Sequence, residues 1–239
     1  EQAFHVPREM GDVIRGGREI VASKGLFITK KRYAVNIIDL EGNRLDVNGK
    51  IGKTKATGLD LKRSDTPKVI QDFLLEILNK LLAGAGRDEI VERIREFKDE
   101  FKERPGWEKG SPKRANNVAD YQKKEKAQGK ANMPGHVRAS INWNTLKRMN
   151  NDRYSIEIVD GMKVIVCKLK NNPLDYTSVA YPTDQLRIPQ WFKELPFDHA
   201  AMETTVIDSK LGNLLGVLDW DIQSTETGNT FNTLFDLGD

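Results

Sequence analysis

The chain has 239 residues, 38% hydrophobic and 31% charged, enough for a packed core under a solvated surface and for one large or two ordinary domains. Its single cysteine, Cys167, excludes an internal disulfide, and His5, His136 and His199 lie too far apart for a recognisable zinc motif. No apolar run approaches the roughly 18 residues of a membrane span, so secreted, membrane and disulfide-scaffold classes are not expected. The sequence starts at Glu1 rather than methionine, as expected of a chain trimmed or cut from something longer.

The net charge is only +3, but its distribution is uneven. Between Trp107 and Asn150 the acids Glu108, Asp120 and Glu125 face ten basic residues, among them Lys113, Arg114, Lys123, Lys124, Arg138 and Lys147. From Pro196 to Asp239, Lys210 stands alone against eight acids. A basic middle and an acidic tail suit different partners.

In chain order, a short helix or loop is expected first, then a strand at Tyr33–Leu40 (YAVNIIDL), a turn at Glu41-Gly42-Asn43 and a return strand to Val47. The segment NGKIGKTKATG reads as exposed loop. A strong helix follows: Asp65 or Thr66 can cap it, Pro67 suits its first position, and Val69, Ile70, Phe73, Leu74, Ile77, Leu78, Leu81 and Leu82 share one face. Gly84 and Gly86 end it. A second helix starts near Asp88, carries Ile90, Val91, Ile94, Phe97 and Phe101 inward and stops before Pro105, so the two form an antiparallel hairpin. The lysine-rich stretch to Pro134 lacks periodicity and is expected to be mobile. Ser155–Val159 and Met162–Leu169 alternate around Asp160-Gly161, a hairpin signal. Helical signals return near Pro196 through about Asp208 and again to Trp220, and Ser224–Thr233 reads as a flexible linker. The class is α+β.

Catalytic signatures are weak. Gly52-Lys53-Thr54 imitates the end of a phosphate-binding P-loop, but Val47 stands where that loop needs glycine and no helix follows directly. No G-x-S-x-G elbow is present, and Cys167 in the apolar VIVCKL reads as a small core residue. Asp219-Trp220-Asp221 reads as helix-end solvation. Two clusters suit nucleic acid instead. Lys30-Lys31-Arg32-Tyr33 sets three cations before an aromatic, and extended geometry would send Lys31 and Tyr33 to one face, Lys30 and Arg32 to the other. His136-Val137-Arg138-Ala139-Ser140, followed by Asn142, Trp143 and Asn144, offers donors beside small residues. A solvated strand start and a polar loop beside a helix are the plain alternatives. The terminal LFDL is apolar on an acidic tail, which suits docking into another protein.

The run FITKKRYAVNIIDLEGNRL resembles the segment after the catalytic aspartates of family B DNA polymerases, most closely the T-even-type phage replicative enzymes. Gly58-Leu59-Asp60 through Ser64-Asp65-Thr66-Pro67-Lys68 is similar to the palm-to-thumb junction, and Pro134-Gly135-His136-Val137-Arg138 with Trp143-Asn144 to a thumb element. Val179-Ala180-Tyr181-Pro182 and the LFDL terminus are similar too, so the matches are colinear over nearly the whole chain. The resemblance implies the end of the palm over 1–56, the thumb over 57–225 and a clamp-binding tail over 226–239. The fold would be a small antiparallel palm remnant followed by a mainly helical thumb with a β-hairpin element.

The resemblance further implies that Lys30, Lys31, Arg32 and Tyr33 grip the primer strand, with Lys31 near the metal-bound triphosphate site. Arg63, Lys68, His136, Arg138 and Asn142 would contact DNA, and Leu234, Phe235, Asp236 and Leu237 the sliding clamp. Asp39 matches an aspartate that the family has at the end of this strand, where strand termination is its plain role. The metal-binding aspartates, the fingers helix and the exonuclease do not appear in this sequence. The implied partners are therefore primer–template DNA, an N-terminal polymerase portion carrying those parts, and a clamp. Mg2+ would enter only in the assembled enzyme, in the cytoplasm of a phage-infected bacterial cell. A stand-alone, non-sequence-specific DNA-binding protein and a clamp-recruiting interaction protein remain as alternatives.

Overall fold

The computed structural model describes residues 17–48, 52–129, 132–216 and 218. The expected linker, the Asp219-Trp220-Asp221 group and the tail residues Leu234, Phe235, Asp236 and Leu237 lie outside them. The fold is α+β, as the sequence predicts, and divides into two units. One holds residues up to Leu59 with Leu78–Ala85; the other holds Asp60–Ile77 and the chain from Gly86.

In the first unit, strand β2 (Arg32–Leu40) is central. It pairs antiparallel with β1 (Ile20–Thr29) on one side and with β4 (Lys53–Thr57) and the two-residue β3 (Asn43–Arg44) on the other. Paired along both edges, it buries Ala34, Val35 and Ile37, which gives the near-continuous apolar run. Two expectations fail here. The segment expected to be an initial helix or loop contains β1, and the loop NGKIGKTKATG contains β4, sequence KTKAT. Both are outer strands of this sheet, where polar and charged side chains face water and alternation is lost. The return strand is shorter than expected, because Leu45 is the last residue tied back, through its N–H to the Ile38 carbonyl.

Helix α1 (Lys68–Ala83) contributes its first part to the second unit, where it runs antiparallel to α2 (Arg87–Lys102) as the spacing predicts. Phe73 stacks on Phe97 with ring centroids 3.7 Å apart, and Arg93 grips Glu76 through Nε at 2.7 Å and Nη2 at 3.2 Å. The start of α1 differs from expectation. Thr66 Oγ1 is buried without a partner, and the Pro67 carbonyl accepts from the Ile70 and Gln71 amides. The Gln71 side chain reaches back to the carbonyls of Arg63 and Thr66.

The rest of this unit packs around α4 (Gly135–Met149), a helix buried on nearly every side from Val137 to Leu146. It lies on a three-stranded antiparallel sheet of β5 (Ser111–Arg114), β6 (Lys163–Lys168) and β7 (Ser178–Pro182). Trp143 sits 5.0 Å from Trp191 and 5.1 Å from Phe192. Cys167 is buried, and burial pushes its thiol far up, which removes it as a nucleophile.

The predicted hairpin around Asp160-Gly161 does not form. Backbone groups of Ser155–Val159 are taken by side chains instead: Asn144 accepts from the Ile158 amide and donates to its carbonyl, both at 2.8 Å. The Trp143 indole donates to the Ile156 carbonyl and Gln185 accepts from the Ile156 amide. β6 pairs with β5 instead, whose sequence SPKR is too polar to announce itself. Part of the stretch expected to be mobile is helix α3 (Val118–Gln128). Its first amide, from Val118, is accepted by the Asp160 carboxylate 42 residues away, a contact no local pattern reveals.

Short helices close the unit: α5 (Gln190–Lys193), α6 (His199–Glu203), a π-helical turn (Thr204–Asp208) and α7 (Ser209–Leu215). Lys98 of α2 holds this segment through Asp208 at 2.6 Å and Glu203 at 3.4 Å. Lys109 is buried, donating to the Lys102 carbonyl at 2.8 Å, with His199 Nδ1 at 2.7 Å and the Phe101 ring beneath.

Asp152, just past α4, links this unit's turns. Burial raises its pKa, but bonds from the Ser155 hydroxyl, the Trp191 indole and the Ser155 and Tyr154 amides outweigh that and bring it from 3.8 to about 2. A carboxyl depressed in the fold stabilises above its unfolded pKa and loses that contribution as pH falls through the folded value. Urea unfolding between about pH 5 and about pH 2 should therefore show falling stability, with a shallower fall in Asp152→Asn. An equal fall in the variant would remove Asp152 from this role.

Candidate nucleic-acid interface

Each unit carries a cationic patch among its described residues. In the first unit, β1 and β2 form a tight hairpin whose two tip residues are Lys30 and Lys31, with Thr29 facing Arg32 across the ladder. The lysines are therefore in the turn and do not alternate between faces as an extended strand would. Both are exposed and make no ion pair among the described residues. A register shift between Phe27 and Thr29 leaves Ile28 as an extra residue beside the turn.

Tyr33 is half-buried, and its cross-strand partner Phe27 stacks near it, centroids 6.0 Å apart at 22°. Phe27 is 68% exposed. An exposed Phe27 and a half-buried Tyr33 thus stand beside a two-lysine turn, a pairing suited to a sugar or base edge next to phosphates. The sequence reading missed Phe27; its place in an apolar run, GLFIT, was the available signal.

Asp39 closes the other end of β2. Its carboxylate accepts from the Gly42 amide at 2.9 Å and pairs with Arg18 at 3.2 Å, which is the work of strand termination.

In the second unit, the turn before α1 and the end of β5 come together. The Asp65 carboxylate lies between two cations: Arg63 Nε at 3.1 Å and Nη2 at 3.3 Å, and Lys113 Nζ at 3.2 Å. Arg63 also pairs with buried Asp60 at 3.3 Å, which Lys210 and Asn213 hold at 3.2 Å each. Burial raises the Asp65 pKa, but the Arg63 and Lys113 bonds prevail and keep it below the usual carboxylate range. Asp65, read from sequence as a helix cap, is turned to these cations instead.

His136 stands in the first turn of α4, half-buried. Burial first, and then the nearby Lys113 ammonium, lower its pKa. Arg138 pairs with Glu125 of α3. Lys68 pairs with Asp72 one turn along α1, at 2.6 Å. Asn142 requires a correction: it is 4% exposed, and its amide donates to the Ser178 carbonyl of β7, so it braces the core and leaves the contact set. Trp143 and Asn144 are likewise internal. Lys113 was legible only as one cation in a basic stretch. Among the described residues no three His, Cys, Asp or Glu side chains gather to hold a metal, and no helix is long and apolar enough to cross a membrane.

Gly58 fixes the lysine turn from below. Its φ is +69°, and a Cβ there would lie 2.2 Å from the Lys31 carbonyl oxygen. Gly58→Ala meets both a left-handed backbone cost of about 1–2 kcal/mol and that backbone clash. The expected result in urea unfolding is a loss of at least about 1 kcal/mol; an unchanged midpoint would show that the turn can move freely.

No protein-family model matches the chain. It is 29% identical over 184 residues to the DNA-directed DNA polymerase of Enterobacteria phage T4, an alignment covering 77% of this chain and 19% of that protein. It is 32% identical over 160 residues to the DNA-directed DNA polymerase of Escherichia phage RB69, covering 66% of this chain and 17% of that one. The chain is related in sequence to the T4-type phage DNA-directed DNA polymerases, over a stretch that makes up less than a fifth of their length.

Proposed function

We propose that this chain is the end of the palm and the thumb of a DNA-directed DNA polymerase of the T4 type, and that it grips primer–template duplex. The observation that carries the reading is the similarity to two such polymerases over 160 residues or more. The two cationic patches support it: Lys30 and Lys31 with Arg32, Tyr33 and Phe27 in one unit, and Arg63, Lys113 and His136 in the other, with Lys68 and Arg138 near the latter in sequence. The contacts would be to backbone phosphates, so binding carries no sequence preference. The tail residues Leu234, Phe235, Asp236 and Leu237 would dock on a sliding clamp. The setting would be the cytoplasm of an infected bacterial cell.

The chemistry would come from elsewhere. Phosphoryl transfer by two metal ions needs carboxylates that hold both ions, and the described residues bring no such group together. Mg2+ would be held by the carboxylates of the assembled enzyme. The fingers, exonuclease and catalytic aspartates would be supplied by a further polymerase portion, joined to this chain or encoded separately. The open edge of β1, which pairs only with β2 among the described strands, is consistent with such a neighbour.

Fluorescence anisotropy of a labelled primer–template against a single strand of equal length, over a salt series, tests the grip. Preference for the primer–template is expected. The Lys30→Ala, Lys31→Ala double variant should flatten the slope of log affinity against log salt by up to about two, about one per lost phosphate contact. Equal binding of both substrates would leave the polymerase likeness as ancestry, and an unchanged slope would remove the lysines from the interface. The purified chain alone is expected to incorporate no nucleotide into a primer; measurable extension would overturn the division of labour.

A further inference from the structure

The placement of Asp65 points beyond a general grip. Its side chain is 28% exposed, while Arg63 and Lys113 on either side are 60% and 39% exposed. The two cations thus remain open to solvent while a carboxylate of the same chain bridges them. Carboxylate and phosphodiester oxygens accept from guanidinium and ammonium donors in the same manner, at the same distances. Arg63 has a second anchor in buried Asp60, itself held by Lys210 and Asn213, so its guanidinium stays placed if Asp65 departs. Asp65 also has somewhere to go. The amino end of α1 starts three residues later, where negative charge is favoured, and Thr66 makes no hydrogen bond there through its hydroxyl.

The first turn of α4 brings His136 beside Lys113, where burial first, and then that ammonium, lower its pKa.

We propose that Arg63 and Lys113 form a seat for one backbone phosphate of nucleic acid, and that the Asp65 carboxylate fills this seat in the free chain and yields it on binding. This rests on the duplex-binding reading above. Asp65 is then an internal competitor: it keeps the two cations arranged and lowers affinity for any strand that does not displace it.

The test is duplex affinity of the whole chain by anisotropy, for Arg63→Ala, Lys113→Ala, Asp65→Asn and Asp65→Ser. Serine keeps an oxygen able to cap α1 while removing the charge, and thermal melts confirm that each variant is folded. Each cation variant should weaken binding and flatten the salt slope by about one. Both Asp65 variants should strengthen binding about two- to fivefold, the range of one exposed ion pair released from competition. If the cation variants bind as the parent does, the duplex reading of this cluster fails and the seat with it. If they weaken binding while the Asp65 variants also weaken it, the cluster stays a DNA contact but Asp65 is no stand-in, and the proposal falls. Inorganic phosphate added at constant ionic strength should leave duplex affinity unchanged in every protein. Competition confined to the Asp65 variants would assign the seat to a free phosphate and overturn its assignment to a nucleic-acid backbone.

Discussion

Helix α4 is buried on almost all sides, and burying it forces the polar groups around it to find partners inside the protein. An unsatisfied buried amide or carbonyl costs about 1–3 kcal/mol, so two or three left open would cancel a large share of a domain's stability. The answer is a set of side-chain bonds to backbone: Asn142 to Ser178, Asn144 to both polar groups of Ile158, and Trp143 to Ile156. These bonds hold β7 on one side and the irregular segment before Asp160 on the other. They also leave β6 to pair with β5, whose last residues are Lys113 and Arg114.

That pairing decides where the cations stand. Lys113 is brought to Asp65 and Arg63, 48 and 50 positions away in the chain, because β5 is locked onto β6 while the turn before α1 is locked by Gln71 and by the Asp60 anchor. His136 follows from the first turn of α4 itself. The cationic cluster of this unit is thus a by-product of satisfying a buried helix. In the other unit a different constraint operates: a tight hairpin, braced by the close approach of Gly58, presents Lys30 and Lys31 at its tip.

Ion pairs at these patches contribute little to folding. Exposed pairs such as Lys68 with Asp72 contribute about 0–1 kcal/mol. Their meaning lies in arrangement. Charges that add little to stability can be exchanged for those of a ligand at small cost, so a carboxylate between two open cations suits an exchange better than a buried network such as Asp60 with Lys210 and Asn213.

Local pattern alone determined much of this protein. The apolar period placed α1 and α2 and their antiparallel pairing, the run YAVNIIDL gave β2, and VIVCKL gave β6 with Cys167 inside. Similarity of order along the chain indicated the polymerase relationship. The cationic segments were visible as composition, Lys30 to Tyr33 most clearly. Tertiary structure decided what periodicity cannot encode. Strands β4 and β5 are polar edge strands, α3 is anchored by Asp160 from a distant turn, and Ser155–Val159 is held by side chains instead of a partner strand. Asn142 looked like a surface donor because an amide side chain reads the same whether it meets water or a buried carbonyl. Asp65 looked like a helix cap because its cationic partner Lys113 lies far along the chain. Sequence sets which groups can bond over a turn or two; only the packed chain sets which distant groups they meet.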